Sequence, residues 1–143
     1  MDKNKIEEFA KHIKSELKFD YNLKKLNWFN IGGDAKVFFK PDNLDDLVTF
    51  LKTFGKSEKI FVLGAGSNIL ITDNKFDGFV VKLGKNFSNI SLLPNNIIVA
   101  GSAVSDKNLS NFAMENNIGG FEFLSCIPGT IGGGLRINSG GFG

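Results

Sequence analysis

Cysteine is almost missing from this sequence. Cys126 is the only one in 143 residues, so no disulfide can close within the chain and stability must come from burial and hydrogen bonding. Long apolar runs are missing too: none approaches the roughly 20 residues that a membrane-spanning helix needs. The opening MDKNKIEEF has no apolar core of the kind a secretory signal carries. An excess of one charge is also lacking. Seventeen basic against fifteen acidic residues leave a net charge of +2, too small to argue for nucleic acid or an acidic membrane surface as partner. No paired carboxylates, zinc-ligand spacing, nucleophile elbow, internal repeat, low-complexity tract or domain linker stands out. These absences lead us to expect a cytoplasmic, reduced setting, with no metal, nucleic-acid partner or membrane association.

What is present is ordinary in amount and unusual in placement. Hydrophobic residues make up 42% and charged residues 22%, enough for one compact domain with a core. Ile6, Phe9, Ala10, Ile13 and Leu17 recur at helical spacing and predict an amphipathic helix over about residues 3–17. A loop, NLKKLNWFNIGGDA, follows, with Gly32-Gly33 as a turn or close-approach site. AKVFFKP reads as a strand ended by Pro41. Asn43 suits a helix N-cap with Asp46 three residues on, and Leu44, Leu47, Val48 and Leu51 supply the apolar face of the helix it starts. KIFVLG, 59–64, reads as a buried strand and completes a βαβ unit with AKVFFKP. FVVKL (79–83) and NIIVAG (96–101) read as further strands, separated by turn-rich NFSNIS and LLPNN. Ser105 suits the cap of a third helix with Leu109, Phe112 and Ala113 inside, ended by Asn116-Asn117 and Gly119.

Two glycine-rich loops are the candidate chemistry. Leu63-Gly64-Ala65-Gly66-Ser67-Asn68 leaves a predicted strand, where ligand loops of α/β proteins sit. Two glycines permit a tight turn whose N–H groups face one way and cradle an anion, and Ser67 and Asn68 add side-chain donors. It is not the Rossmann fingerprint: the third glycine would fall at Ile69, no acidic residue lies about twenty positions on, and ILITD suits a strand better than a helix. A plain structural turn is the competing reading. The second loop is Ile127-Pro128-Gly129-Thr130-Ile131-Gly132-Gly133-Gly134, with Arg136 and Asn138 behind it. Thr130 can cap a short helix whose N-terminus faces a pyrophosphate; Arg136 pairs either with phosphate or with a local carboxylate. Its competing reading is a tight turn in a packed core. Gly84-Lys85 falls short of a P-loop, with five residues rather than four after Gly78 and Asn86 in place of Ser or Thr, and reads as a surface turn. His12 reads as solvated, Cys126 as a buried structural thiol, and Trp28 and Phe29 as packing residues.

The blocks NWFNIGGDA, LGAGSNILITD and GFEFLSCIPGTIGGGLRINSGGFG, in this order and at these separations, resemble the UDP-N-acetylenolpyruvoylglucosamine reductase (MurB) family. The likeness runs from about Asn27 to Gly143. Its departures are mild: Ala65 where glycine is common, Cys126 where a small residue is usual, Gly134 and Gly141 for alanine, Phe142 for tyrosine. The resemblance implies an α+β FAD-binding domain of the vanillyl-alcohol-oxidase/MurB type, with a first βαβ-containing subdomain and the start of a second. Residues 1–26 would be an N-terminal helix and lead-in, and 27–143 an FAD-binding domain incomplete at its C-terminus, without the substrate domain. It implies that Gly64, Ala65, Gly66, Ser67 and Asn68 hold the FAD pyrophosphate from the first subdomain. Pro128, Gly129, Thr130, Gly132 and Gly133 would contact flavin or phosphates from the second, with Gly101 and Ser102 lining the same cleft.

The family reduces the enolpyruvyl ether of a UDP-sugar, with NADPH as reductant, on the way to peptidoglycan precursors. Its catalytic arginine, glutamate and serine lie downstream of the segment that NSGGFG matches, so no catalytic residue maps onto this chain and Arg136 is not that arginine. The expectation is an inactive N-terminal part, or one complemented by a separately encoded C-terminal half. A non-catalytic flavin or nucleotide-binding module, or another flavin oxidoreductase of the same fold, is the alternative.

Overall fold

The computed structural model describes residues 1–140 as two compact units, one made of Met1–Leu63 with Ile69–Gly84, the other of Gly64–Asn68 with the chain from Lys85 onward. The first unit begins with helix α1 (Lys3–Lys11), capped by Asp2, whose side chain accepts from the N–H groups of Asn4 and Lys5. The helix stops at His12, earlier than its apolar spacing suggested. Leu17 lies instead in strand β1 (Glu16–Asn22), an element that the sequence reading does not include. The cause is a clamp: Asp46 Oδ2 accepts from the N–H groups of Lys14 (3.1 Å) and Ser15 (2.9 Å) and from Ser15 Oγ (2.6 Å). Those N–H groups are thereby turned away from a continuing helix.

β1 pairs antiparallel with β2 (Asp34–Lys40), which runs parallel to β4 (Phe76–Val81) and, across it, to β3 (Ile60–Val62). Helix α2 (Leu44–Phe54) connects β2 to β3, so the expected βαβ unit is present, with β4 inserted between its strands. Asn43 caps α2, accepting from Asp46 N at 2.8 Å. A register irregularity between Ala35 and Val37 lets β2 supply both faces. Val37 and Phe39 face the core shared with α1 and α2, while Ala35 and Phe38 face the opposite one.

That first core is aromatic. Phe9, Phe39, Phe50, Phe54 and Phe79 form a chain of ring contacts at 4.7–5.7 Å between neighbouring centroids. Each buried ring contributes about 2–3 kcal/mol through removal from water. The buried stripe of α2 is therefore Phe50 and Phe54, whereas Leu44 and Leu51 are 63% and 48% exposed; leucine spacing alone pointed to the wrong face. β3 is likewise an edge strand rather than a buried one, with Val62 66% exposed. ILITD forms no strand. Its residues cover the second sheet face, where Ile69 and Ile71 pack with Leu23, Leu63 and Val80. Gly33 donates to Thr72 O at 2.8 Å, and a side chain on Gly33 would strike Asp73 O, so the Gly-Gly pair is a close-approach site.

The second unit holds a two-stranded antiparallel ribbon, β5 (Ile90–Leu93) and β6 (Ile97–Ala100), turning at Pro94–Asn96. Only β6 was expected; β5 lay within what read as turn-rich sequence, because Asn89 and Pro94 flank it closely. Helix α3 (Asp106–Glu115) is capped by Ser105 Oγ, which accepts from Asn108 N at 3.2 Å, and it buries Leu109 and Ala113. A 3-10 turn over Glu122–Cys126 leads to helix α4 (Ile131–Ile137), closed by Asn138 in the left-handed region at φ 50°. No helix among the described residues is long and apolar enough to cross a membrane.

Candidate functional site

The glycine loop Gly64–Asn68 is built as a turn around Gly66, whose φ of +75° is one that glycine adopts without strain. Alternation of conformation at such a residue points successive N–H groups to one side, which is the geometry of an anion nest. The hydrogen bonds found among the described residues leave the N–H groups of Ala65, Gly66, Ser67 and Asn68 without an acceptor. A turn of this kind can offer its N–H groups to an anion.

The second glycine loop meets the first within the same unit. Ser67 Oγ donates to Pro128 O, and a Cβ on Gly64 would lie 2.9 Å from Thr130 Oγ1 and 3.9 Å from Gly133 Cα. The sequence reading had them facing each other from two subdomains; the structure places both in one compact unit.

Thr130 does cap α4: its Oγ1 accepts from Gly133 N at 3.3 Å, and its carbonyl accepts from Gly134 N at 2.8 Å. The remaining first-turn donors are used internally. Ile131 N bonds Val104 O at 2.9 Å and Gly132 N bonds Ser102 O at 2.9 Å. Hence α4 does not present open N–H groups to a ligand; they tie the helix to the Ser102–Ser105 segment, which Ser105 also joins through a bridge to Thr130. Among the described residues, the N–H groups of Ala65–Asn68 are the ones left without an acceptor.

Ser102 lies beside this loop, its Cβ 2.8 Å from where a side chain on Gly132 would begin. Gly101 serves a different purpose: its N–H bonds Asn89 O at 2.9 Å, and a side chain there would strike Phe87 O, so this glycine is required by packing. Arg136 is exposed and forms no ion pair among the described residues. Gly141, Phe142 and Gly143 of the third block lie outside the described residues. His12 is exposed, its ring 3.1 Å from Glu8 Oε1. Gly84 sits in a turn, donating to Pro41 O at 2.7 Å. Two expectations are overturned. Cys126 is exposed rather than buried, because the short 3-10 turn carrying it lies at the surface. Trp28 and Phe29 are 62% and 60% exposed rather than packed; Asn27 holds their loop by donating to Leu23 O and Ile31 O, which leaves the two rings outside. No metal-binding cluster of His, Cys, Asp and Glu occurs among the described residues.

Asp106, at the start of α3, was not anticipated. It is 3% exposed. Its Oδ2 lies 2.5 Å and its Oδ1 lies 4.0 Å from where side chains on Gly129 and Gly134, respectively, would begin. Oδ2 has no hydrogen-bond partner among the described residues. Burial pushes this carboxyl above the ordinary aspartate range. An acidic residue in the first turn of a helix is commonplace, so nothing in its sequence position sets it apart.

Two glycine loops, one built around Gly66 at φ +75° and the other leading into a capped helix, thus meet through Ser67 Oγ and Pro128 O. The chain belongs to the FAD binding domain family, which matches residues 35–143. It is 68% identical over 137 residues to the UDP-N-acetylenolpyruvoylglucosamine reductase of Pelagibacter ubique (strain HTCC1062), covering 96% of this chain and 45% of that protein. It is 53% identical over 131 residues to the protein of that name from Rickettsia typhi, covering 92% of this chain and 44% of the relative. Among solved structures, the UDP-N-acetylenolpyruvylglucosamine reductase (MurB) from Thermus caldophilus superimposes with a TM-score of 0.71 at 24% identity, over 90% of this chain and 43% of that one. The fold is thus α+β of the MurB type, and the chain spans less than half the length of these relatives.

Proposed function

We propose that this chain is the cofactor-holding part of a UDP-N-acetylenolpyruvoylglucosamine reductase, acting in peptidoglycan precursor synthesis in the cytoplasm and so in cell growth and division. The FAD-binding part runs from about residue 27, with residues 1–26 as its lead-in. The observation that carries the reading is the loop at Ala65–Asn68, whose four N–H groups have no acceptor among the described residues, which fits the two negative charges of a pyrophosphate. In this reading Gly64–Asn68 hold the pyrophosphate. Pro128, Gly129 and Thr130 form the adjoining wall, with Ser102, Gly132 and Gly133 fixing its shape and Gly101 spacing the preceding strand. The Ser67 hydroxyl is engaged by Pro128 O, so it orders the two loops against each other.

The chemistry supplied by bound FAD is hydride transfer from NADPH to the alkene of the enolpyruvyl ether. This chain's own residues bind and orient the cofactor. The family's arginine and glutamate, which aid the enolate, and the serine that donates its proton match no position here. The 143-residue chain alone therefore binds FAD weakly and does not turn over. A partner carrying those three residues and the UDP-sugar site, encoded separately or in continuation, restores activity. The test is to purify the chain, titrate it with FAD by flavin fluorescence anisotropy, and assay NADPH oxidation with the UDP-sugar. Saturable binding without turnover is expected. Stoichiometric FAD on the purified chain with NADPH-dependent reduction of the enolpyruvyl group would refute the inactive-part reading. Absence of binding at millimolar FAD would refute the pyrophosphate loop.

A further inference from the structure

Asp106 is a buried acid set against the Pro128–Thr130 segment, the wall that adjoins the Ala65–Asn68 loop. Its side chain is wedged between the Pro128–Thr130 segment and α4, and its own N–H bonds Gly129 O at 3.3 Å. One residue away, Pro128 O receives the Ser67 hydroxyl of the nest. A carboxylate left unpartnered and out of water is costly, and its negative charge would oppose a phosphate held against the same wall. A neutral carboxylic acid avoids both penalties.

We propose that Asp106 is a positioning residue that couples a proton to the cofactor grip: as the neutral acid it supports the glycine wall, and when ionised it weakens the site for a pyrophosphate. The proposal rests on the reading of Ala65–Asn68 as a pyrophosphate loop. The geometry also explains why position 129 is glycine, since any side chain there would begin 2.5 Å from the carboxyl oxygen. The raised proton affinity of this group agrees with the proposal. Its surroundings offer no other titrating group of comparable burial. α3 itself carries Lys107 and Glu115, the 3-10 turn packed against it carries Glu122 and Cys126, and α4 carries Arg136, all exposed. The Ser102–Ser105 and Pro128–Thr130 segments carry none.

A carboxyl with a raised folded pKa contributes its full stability below the unfolded value, near about 3.9, and loses it as pH rises through the folded value. Urea unfolding of the chain and of Asp106→Asn between pH 4 and 8 should show the unmutated folding constant falling relative to the variant, by up to tenfold per pH unit within that window. FAD does not titrate over this range, so its affinity reports the protein. FAD dissociation constants measured by flavin anisotropy at pH 5 to 8 should weaken about tenfold for the unmutated chain and stay level for Asp106→Asn. Asp106→Ser, smaller and equally neutral, should follow Asp106→Asn and guards against misfolding of either. Parallel pH profiles for the unmutated chain and both variants, in stability or in FAD affinity, would overturn the proposal. FAD binding by none of the proteins at any pH would overturn the pyrophosphate reading, and this inference with it, whatever the unfolding curves show.

Discussion

Removing the Asp46 carboxylate is the sharpest perturbation this fold offers. Four donors converge on a single oxygen: Lys14 N, Ser15 N, Ser15 Oγ and Asn43 Nδ2, at 2.6–3.1 Å. Asp46 N in turn donates to Asn43 Oδ1 at 2.8 Å, and Ser15 Oγ accepts from Asp42 N at 2.9 Å. One side chain thus joins the start of β1 to the cap of α2. Hydrogen bonds to a charged acceptor are worth about 1.5–3 kcal/mol each, but burying the charge offsets much of the sum and the stranded donors recover water. We expect Asp46→Ala to cost about 2–4 kcal/mol. Asp46→Asn, which keeps one acceptor oxygen without the charge, should cost about 1–2 kcal/mol.

The pH dependence gives an independent check. Burial works to raise the Asp46 pKa, but the hydrogen bonds from Ser15, Asn43 and Lys14 outweigh it and hold the carboxyl below the ordinary value. A group lowered in the folded state contributes stability that is present above its unfolded pKa and lost as pH falls through the folded one. Urea denaturation at pH 7 and pH 3 is the assay. The gap between the unmutated chain and Asp46→Ala should narrow at pH 3. A gap under 1 kcal/mol at pH 7, or one of equal size at both pH values, would refute the reasoning.

Three further outcomes are expected. Phe50→Ala, at a position with no exposure at the centre of the ring cluster, should destabilise by about 3–5 kcal/mol in the same assay; Leu51→Ala, 48% exposed, should stay within about 1 kcal/mol. Gly66→Ala forces a side chain onto φ +75° at about 1–2 kcal/mol and shifts the N–H groups of the loop, so in the proposed reading FAD affinity should fall more than stability does, as anisotropy and urea titration compared on one sample will show. Thr130→Val removes the acceptor for Gly133 N and should cost about 1 kcal/mol, with hydrogen exchange of α4 amides rising while β2 and β4 stay protected.

Whether an element could be recognised in the sequence depended on how local its cause was. Asn43, Ser105 and Thr130 each act on an N–H three residues away, so the starts of three helices were legible. The end of α1 was not, because Asp46 ends it from 31 and 32 residues further along the chain. The face of α2 misled for a related reason. Leucines and phenylalanines both recur at helical spacing there, and only the rings supplied by Phe9, Phe39 and Phe79 decide that Phe50 and Phe54 turn inward. β3 is apolar yet lies at a sheet edge, since its place follows from β4 entering between it and β2.

The site shows the same division. Glycine spacing located both loops, because tight turns leave a mark in composition. What each glycine is for emerged only from neighbours distant in sequence: Gly101 answers to Phe87, and Gly129 to Asp106. The helix after Thr130 looked like the anion site because short glycine-rich helices often are. Its donors are instead consumed by Ser102 and Val104, so it braces the wall and leaves the open N–H groups to Ala65–Asn68. A wall held this way meets a buried carboxyl at Asp106. On the proposal made for that residue, the grip on an anion depends on a group that carries no mark in the sequence and lies outside the two glycine loops.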